Sequence, residues 1–185
     1  MNDTKVTPRP NLNPLALPTL ALAGRAVLTF RNVETGTHFT VKIKQLRDKA
    51  DRKVKLPIYY VYISLLNDGV TRMRFAGTLF STDMRIKLAN GLRPDDRLAV
   101  VFRWLIGAIK NPVSLRGIFD PTKGRTVNRV GLFHENRCCH CSLPLTHPES
   151  IYNAYGPVCF KALSARLAAE GINVAELFAP VEQIA

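Results

Sequence analysis

Cysteine is missing from the first 137 residues of this 185-residue chain, and all four cysteines lie between Cys138 and Cys159. Disulfides that stabilise secreted chains tie distant segments together, so this clustering argues against such a framework and for a metal site in a reducing compartment, the cytoplasm. Long apolar runs are missing too: none approaches the ~18–20 residues needed to span a bilayer. Residues 15–24 (LALPTLALAG) resemble a short signal core, but Pro8, Pro10, Pro14 and Pro18 punctuate the region and no compact basic leader directly precedes it. Acidic residues are scarce, 14 Asp and Glu against 26 Lys and Arg, which leaves a formal charge of +12. That excess favours a polyanionic partner, nucleic acid ahead of an anionic membrane. There is no H-E-x-x-H, no Walker loop, no G-x-S-x-G, and no H-x-E followed by P-C-x-x-C, so the expectation is a non-enzymatic protein.

What is present suffices for a globular core, since 46% of the residues are apolar. Residues 1–24, rich in Pro, Asn, Thr and Leu, read as a disordered or extended arm whose apolar side chains dock on the body or on a partner. Strand patterns begin at Arg25. Ala26, Leu28 and Phe30 alternate with Val27, Thr29 and Arg31; then Phe39, Val41 and Ile43 alternate with His38, Thr40, Lys42 and Lys44. Ile58 to Leu66 (IYYVYISLL) is β-branched and aromatic throughout. Asn67-Asp68-Gly69 is a hairpin signal, and Arg72 to Phe80 returns with Met73, Phe75 and Leu79 on one face and Arg72 and Arg74 on the other. After Pro94, Leu98, Val101, Phe102, Leu105 and Ile109 take helical spacing, as expected of a helix lying across the inner face of the sheet. Residues 113–128 read as a loop, Val127 to Phe133 as a strand, and Phe160 to Glu170 as a last helix. The fold class is therefore α+β: an antiparallel sheet packed by an amphipathic helix over 25–126, followed over 127–185 by a small treble-clef-like zinc module with a C-terminal helix.

The cysteine cluster reads HENRCCHCSLPLTHPESIYNAYGPVC from His134 to Cys159. Cys138-x-x-Cys141 has the spacing of a zinc knuckle, a tight turn that aims two thiolates at one metal. Cys159 follows Gly156-Pro157 and opens the last helix, where the positive helix end favours a thiolate. His134, at a strand end four residues before Cys138, is the leading candidate for the fourth ligand of a closed Zn2+ site, with His147, His140 and Cys139 as alternatives.

These residues resemble the C-terminal module of a family of uncharacterised, largely phage-encoded proteins, with the pattern H-x3-C-x2-C…G-P-x-C. Leu145, Thr146, Pro148, Ser150, Ile151, Gly156 and Pro157 match alongside the four candidate ligands. Ser142-Leu143 stands where the family has Gly-Arg, and only Gly156 represents its Gly-x-Gly turn ahead of the proline. The resemblance implies zinc binding and a phage origin, hence a host-cell cytoplasm, rather than any particular activity.

A second candidate surface lies on the sheet. Lys42 and Lys44, with Tyr60, Tyr62, Arg72 and Arg74 on neighbouring strands, place cations among aromatic rings, as proteins that track phosphates and stack bases do. Arg47, Lys53 and Lys55 extend that track in a stretch, Lys42–Lys55, with seven basic residues against two aspartates. The function expected is nucleic-acid binding, single strands preferred. The alternative is a protein-interaction module that binds and inhibits a host protein.

Overall fold

The computed structural model describes residues 11–65, 72–115, 118–120, 125–127 and 130–179. The hairpin signal at Asn67-Asp68-Gly69 lies outside them. Among the described residues eight strands form: β1 (Arg25–Asn32), β2 (His38–Arg47), β3 (Lys55–Leu65), β4 (Arg74–Phe80), β5 (Arg85–Leu88), β6 (Ile118–Asp120), β7 (Arg125–Val127) and β8 (Val130–His134). Six of them make one antiparallel sheet in the order β5-β4-β3-β2-β1-β8, and β6 and β7 pair separately. The α+β class expected from the sequence is the one observed. The short strands β5, β6 and β7 fall where no strand was expected.

Alternation sets the inner face. Ala26, Leu28 and Phe30 of β1, Val41 and Ile43 of β2, and Val61 and Ile63 of β3 are buried. Helix α2 (Arg97–Lys110) lays Leu98, Phe102, Leu105 and Ile109 against them, as the helical spacing predicts. Asp96 sits at its N-cap, but its carboxylate accepts from the Arg93 N–H at 2.8 Å instead of capping the first turn.

The segment read as an extended arm is helical where it is described. A 3₁₀ turn (Pro14–Ala16) leads into α1 (Leu17–Ala21), and Leu17 and Leu20 are completely buried. Asn13 starts the turn by accepting the Leu15 N–H, and the prolines occupy first-turn positions, where the missing N–H costs nothing. Upstream, the Leu12 N–H donates to Leu132 O at 2.7 Å, tying the segment to β8. The apolar pattern thus reports docking on the body.

In β4 the register shifts at the Val61/Tyr62 step of β3: Val61 faces Gly77, yet Tyr62 faces Phe75. Ala76 is the extra residue of a β-bulge, which reverses the side-chain phase on either side of it. Gly77 has φ +149° and lies so close to β5 that a Cβ would meet Lys87 O at 2.2 Å. Among the described residues, no helix is long and apolar enough to cross a membrane.

Candidate metal centre and the adjoining basic face

Strand β8 delivers the chain into a short hairpin at the cysteines. Arg137 and Pro144 form an isolated antiparallel bridge, Cys138 N–H donates to Leu143 O at 2.9 Å, and Ser142 N–H donates to Cys138 O at 2.8 Å. The turn closes because Ser142 adopts a left-handed conformation, φ +68°. Helix α3 (Pro148–Asn153) follows and ends at Ala154, also left-handed at φ +60°. Helix α4 (Pro157–Ala169) then begins, with Cys159 in its first turn. In a small core beneath, Phe178 packs edge-on against Tyr155 and Phe160, and Tyr155 Oη donates to Thr19 O at 3.0 Å, fastening the module to α1.

The Sγ atoms of Cys138, Cys141 and Cys159 lie within 4.8 Å of one another. Thiolates on one tetrahedral zinc, with Zn–S of about 2.3 Å, stand roughly 3.8 Å apart, so the trio needs at most a small contraction to hold an ion. Burial opposes charge on Cys138, but backbone N–H groups of Cys141, Gly156 and His140 outweigh it and hold this thiol below the ordinary cysteine range. Cys159 behaves oppositely: partial burial, then the negative charge of Cys138, pushes it up to about 12. Cys139 points away into the protein, fully buried, and burial followed by the charge of Cys138 raises its thiol far above the usual range. These features fit a small metal-binding module.

His134 is not among the clustered donors. Its Nδ1 accepts the Asn136 N–H at 3.1 Å, which leaves Nε2 to donate to Ile151 O at 2.5 Å. The ring is completely buried and braces the end of β8 against α3. To reach a metal it would have to give up one of those bonds. Of the alternatives, His147 is exposed at the N-cap of α3, and His140 donates Nδ1–H to Ala23 O at 2.9 Å. Burial, together with the charges of Lys55, Arg166 and Arg47, holds His140 below the ordinary histidine range.

On the outer face of the sheet, Lys42 lies directly opposite Tyr62, and Lys44 opposite Tyr60. Both lysines are exposed. Phe75 joins them, 40% exposed, its ring 5.4 Å from both Tyr60 and Tyr62. Arg74 pairs with the buried Ile63 and so belongs to the other side of the sheet, beyond the core; Arg72 lies exposed just before β4. This corrects the expected face: the bulge at Ala76 reverses the phase, so Phe75 takes the place assigned to Arg74. A glycine inside a strand pattern, Gly77, was the available signal of that bulge. Towards β8 the face changes character, with Thr29 Oγ1 bonded to both Thr40 Oγ1 (2.8 Å) and Glu135 Oε1 (2.7 Å).

The β2–β3 hairpin is longer than expected, its strands running to Arg47 and from Lys55, which face each other. Asp48 and Asp51 fold the connecting loop by accepting the N–H groups of Ala50, Asp51 and Lys53. Lys53 stays exposed on this loop. Between the hairpin tip and the cysteine knuckle is a cleft of roughly 710 Å³, lined by Arg25, Lys44, Arg47, Lys49, Arg52 and Lys55, with His140 and Cys141 on the opposite wall.

Residues 133–164 match a family of unknown function, DUF6011, a span that includes the whole cysteine module. No curated protein and no solved structure matches the chain significantly.

Proposed function

We propose that this chain is a non-enzymatic, phage-type zinc protein that binds single-stranded nucleic acid on the outer face of its sheet. Cys138, Cys141 and Cys159 supply three thiolates, a donor set that selects zinc among the common divalent ions, with the fourth position taken by a group outside the trio. The ion's task is structural: it fixes the knuckle to the start of α4, where a small module has little core of its own. The resemblance of this module to phage-encoded proteins supports a phage origin and a host-cell cytoplasmic setting.

The observation that carries the binding reading is the Tyr60–Phe75–Tyr62 group, exposed or half-exposed on a sheet face and set in register with Lys42 and Lys44. Aromatic rings left to solvent beside cations serve base stacking and phosphate attraction together, and neither requires sequence-specific recognition. Fluorescence anisotropy with a labelled single-stranded oligonucleotide tests it. Phe75→Ala or Tyr62→Ala should weaken binding by ~1–3 kcal/mol. Absence of wild-type binding at low salt would defeat the reading.

A host-protein-binding function has one observation in its favour. An apolar groove of roughly 330 Å³ runs beside the exposed Trp104 and Val100, floored by Phe30 and Phe39. Its occupancy would be insensitive to salt, unlike phosphate binding.

A further inference from the structure

The cleft beside the knuckle does something the aromatic face does not: it joins the metal module to the cationic surface. Among the described residues six basic side chains line it against one acidic side chain, Asp48, whose Oδ1 accepts N–H groups of the hairpin loop. Tyr60 and Lys44 belong both to this cleft and to the outer sheet face, so the two surfaces are continuous. A strand stacked on the aromatic rings therefore has an adjoining channel for its phosphates.

The walls of the cleft are bolted together through bonds to the backbone. Arg25 N–H donates to Cys139 O at 2.8 Å, and His140 Nδ1–H donates to Ala23 O at 2.9 Å, so the knuckle holds the entry to β1 from both sides of Gly24. Gly24 O in turn accepts the Gln45 N–H at 2.8 Å, next to Lys44, and Arg25 pairs with Lys44 across the sheet. Gln45 Nε2 donates onward to Leu56 O at 3.0 Å, reaching β3. The positions of Arg25 and Lys44 thus depend on the conformation of residues 138–141.

Building on the nucleic-acid reading above, we propose that this cleft receives the phosphate backbone of the bound single strand, and that metal loading of the cysteine trio and strand binding strengthen each other through the shared wall. The linkage is reciprocal by thermodynamic necessity: whatever factor zinc adds to strand affinity, the strand adds to zinc affinity.

The test uses the full chain loaded with zinc(II) and a single-stranded oligothymidylate. Lys49→Ala combined with Arg52→Ala should retain zinc, lower strand affinity, and flatten the slope of log affinity against log salt by ~0.7 for each phosphate left without its cation. In the wild type, saturating oligothymidylate should tighten zinc by ~5-fold or more, read at equilibrium in competition with a chromophoric chelator, at the lower end of ordinary coupling. His140→Ala, which cuts the bond to Ala23 while leaving the three cysteines, should keep zinc but reduce that tightening. This variant matters because stripping the metal would risk unfolding the module outright. If the wild type binds oligothymidylate but the Lys49/Arg52 variant binds as well, or the strand leaves zinc affinity unchanged, the cleft proposal is overturned while the aromatic-face reading stands. If the wild type does not bind at all, both fall.

Discussion

At the scale of single residues, the metal module separates side chains of one chemical type into different roles. Cys138, Cys141 and Cys159 converge, whereas Cys139, adjacent to one of them, points into the interior. Cys141→Ser or Cys159→Ser should therefore release zinc, and Cys139→Ser should keep it, as read by metal content per chain. His134→Ala should also keep zinc but destabilise the fold by ~1–3 kcal/mol, because the part-buried bonds to the Ile151 carbonyl and the Asn136 N–H are lost. Loss of zinc in that variant would restore His134 as a ligand. The raised Cys159 thiol carries its proton at neutral pH without metal, and metal uptake must displace it. Zinc affinity should accordingly rise with pH, by about tenfold per unit for each proton released, and fall on acidification. Ser142 and Ala154 hold left-handed backbone where a side chain costs ~1–2 kcal/mol. The resembling family places glycine after its second cysteine, at Ser142. Ser142→Gly and Ala154→Gly should each leave zinc bound and shift the melting temperature upward or not at all, the relief of strain being partly offset by the freedom of glycine in the unfolded chain.

At the scale of elements, docking overrides local composition. The proline-punctuated segment before β1 would be a poor helix in isolation, yet α1 forms because Leu17 and Leu20 complete the core beneath the sheet. Leu20→Ala should cost ~2–5 kcal/mol in chemical denaturation, as for a fully buried leucine, and a cost near zero would mean that the segment is not part of the cooperative unit. The bulge in β4 is equally consequential. Gly77→Ala would drive a methyl into Lys87 O and the Phe102 ring, and should destabilise the fold by ~1–3 kcal/mol, with β5 losing hydrogen-exchange protection first.

At the scale of the whole molecule, a formal charge of +12 sets a background attraction for any polyanion, and the fold then concentrates part of it. Replacing Lys42 and Lys44 with Ala should flatten the salt dependence of single-strand binding by ~0.7 for each phosphate no longer neutralised. The same double replacement of Arg72 and Arg74 should change it less, since Arg74 belongs to the opposite side of the sheet. What was legible in the sequence was what short-range pattern controls. The α+β class follows from strand periods of two and a helix period near 3.6, and the three-cysteine site follows from C-x-x-C and a Gly-Pro turn, all within one short span. The hydrogen bond between His134 and the Ile151 carbonyl was not legible, because only folding brings α3 to that ring. Nor was the membership of Phe75 in the aromatic group, because one bulged residue inverts the phase of a strand. The cleft is the extreme case: Arg25, the β2–β3 hairpin and His140 are far apart along the chain, and hydrogen bonds to backbone groups, which carry no sequence signature, are what make them one surface.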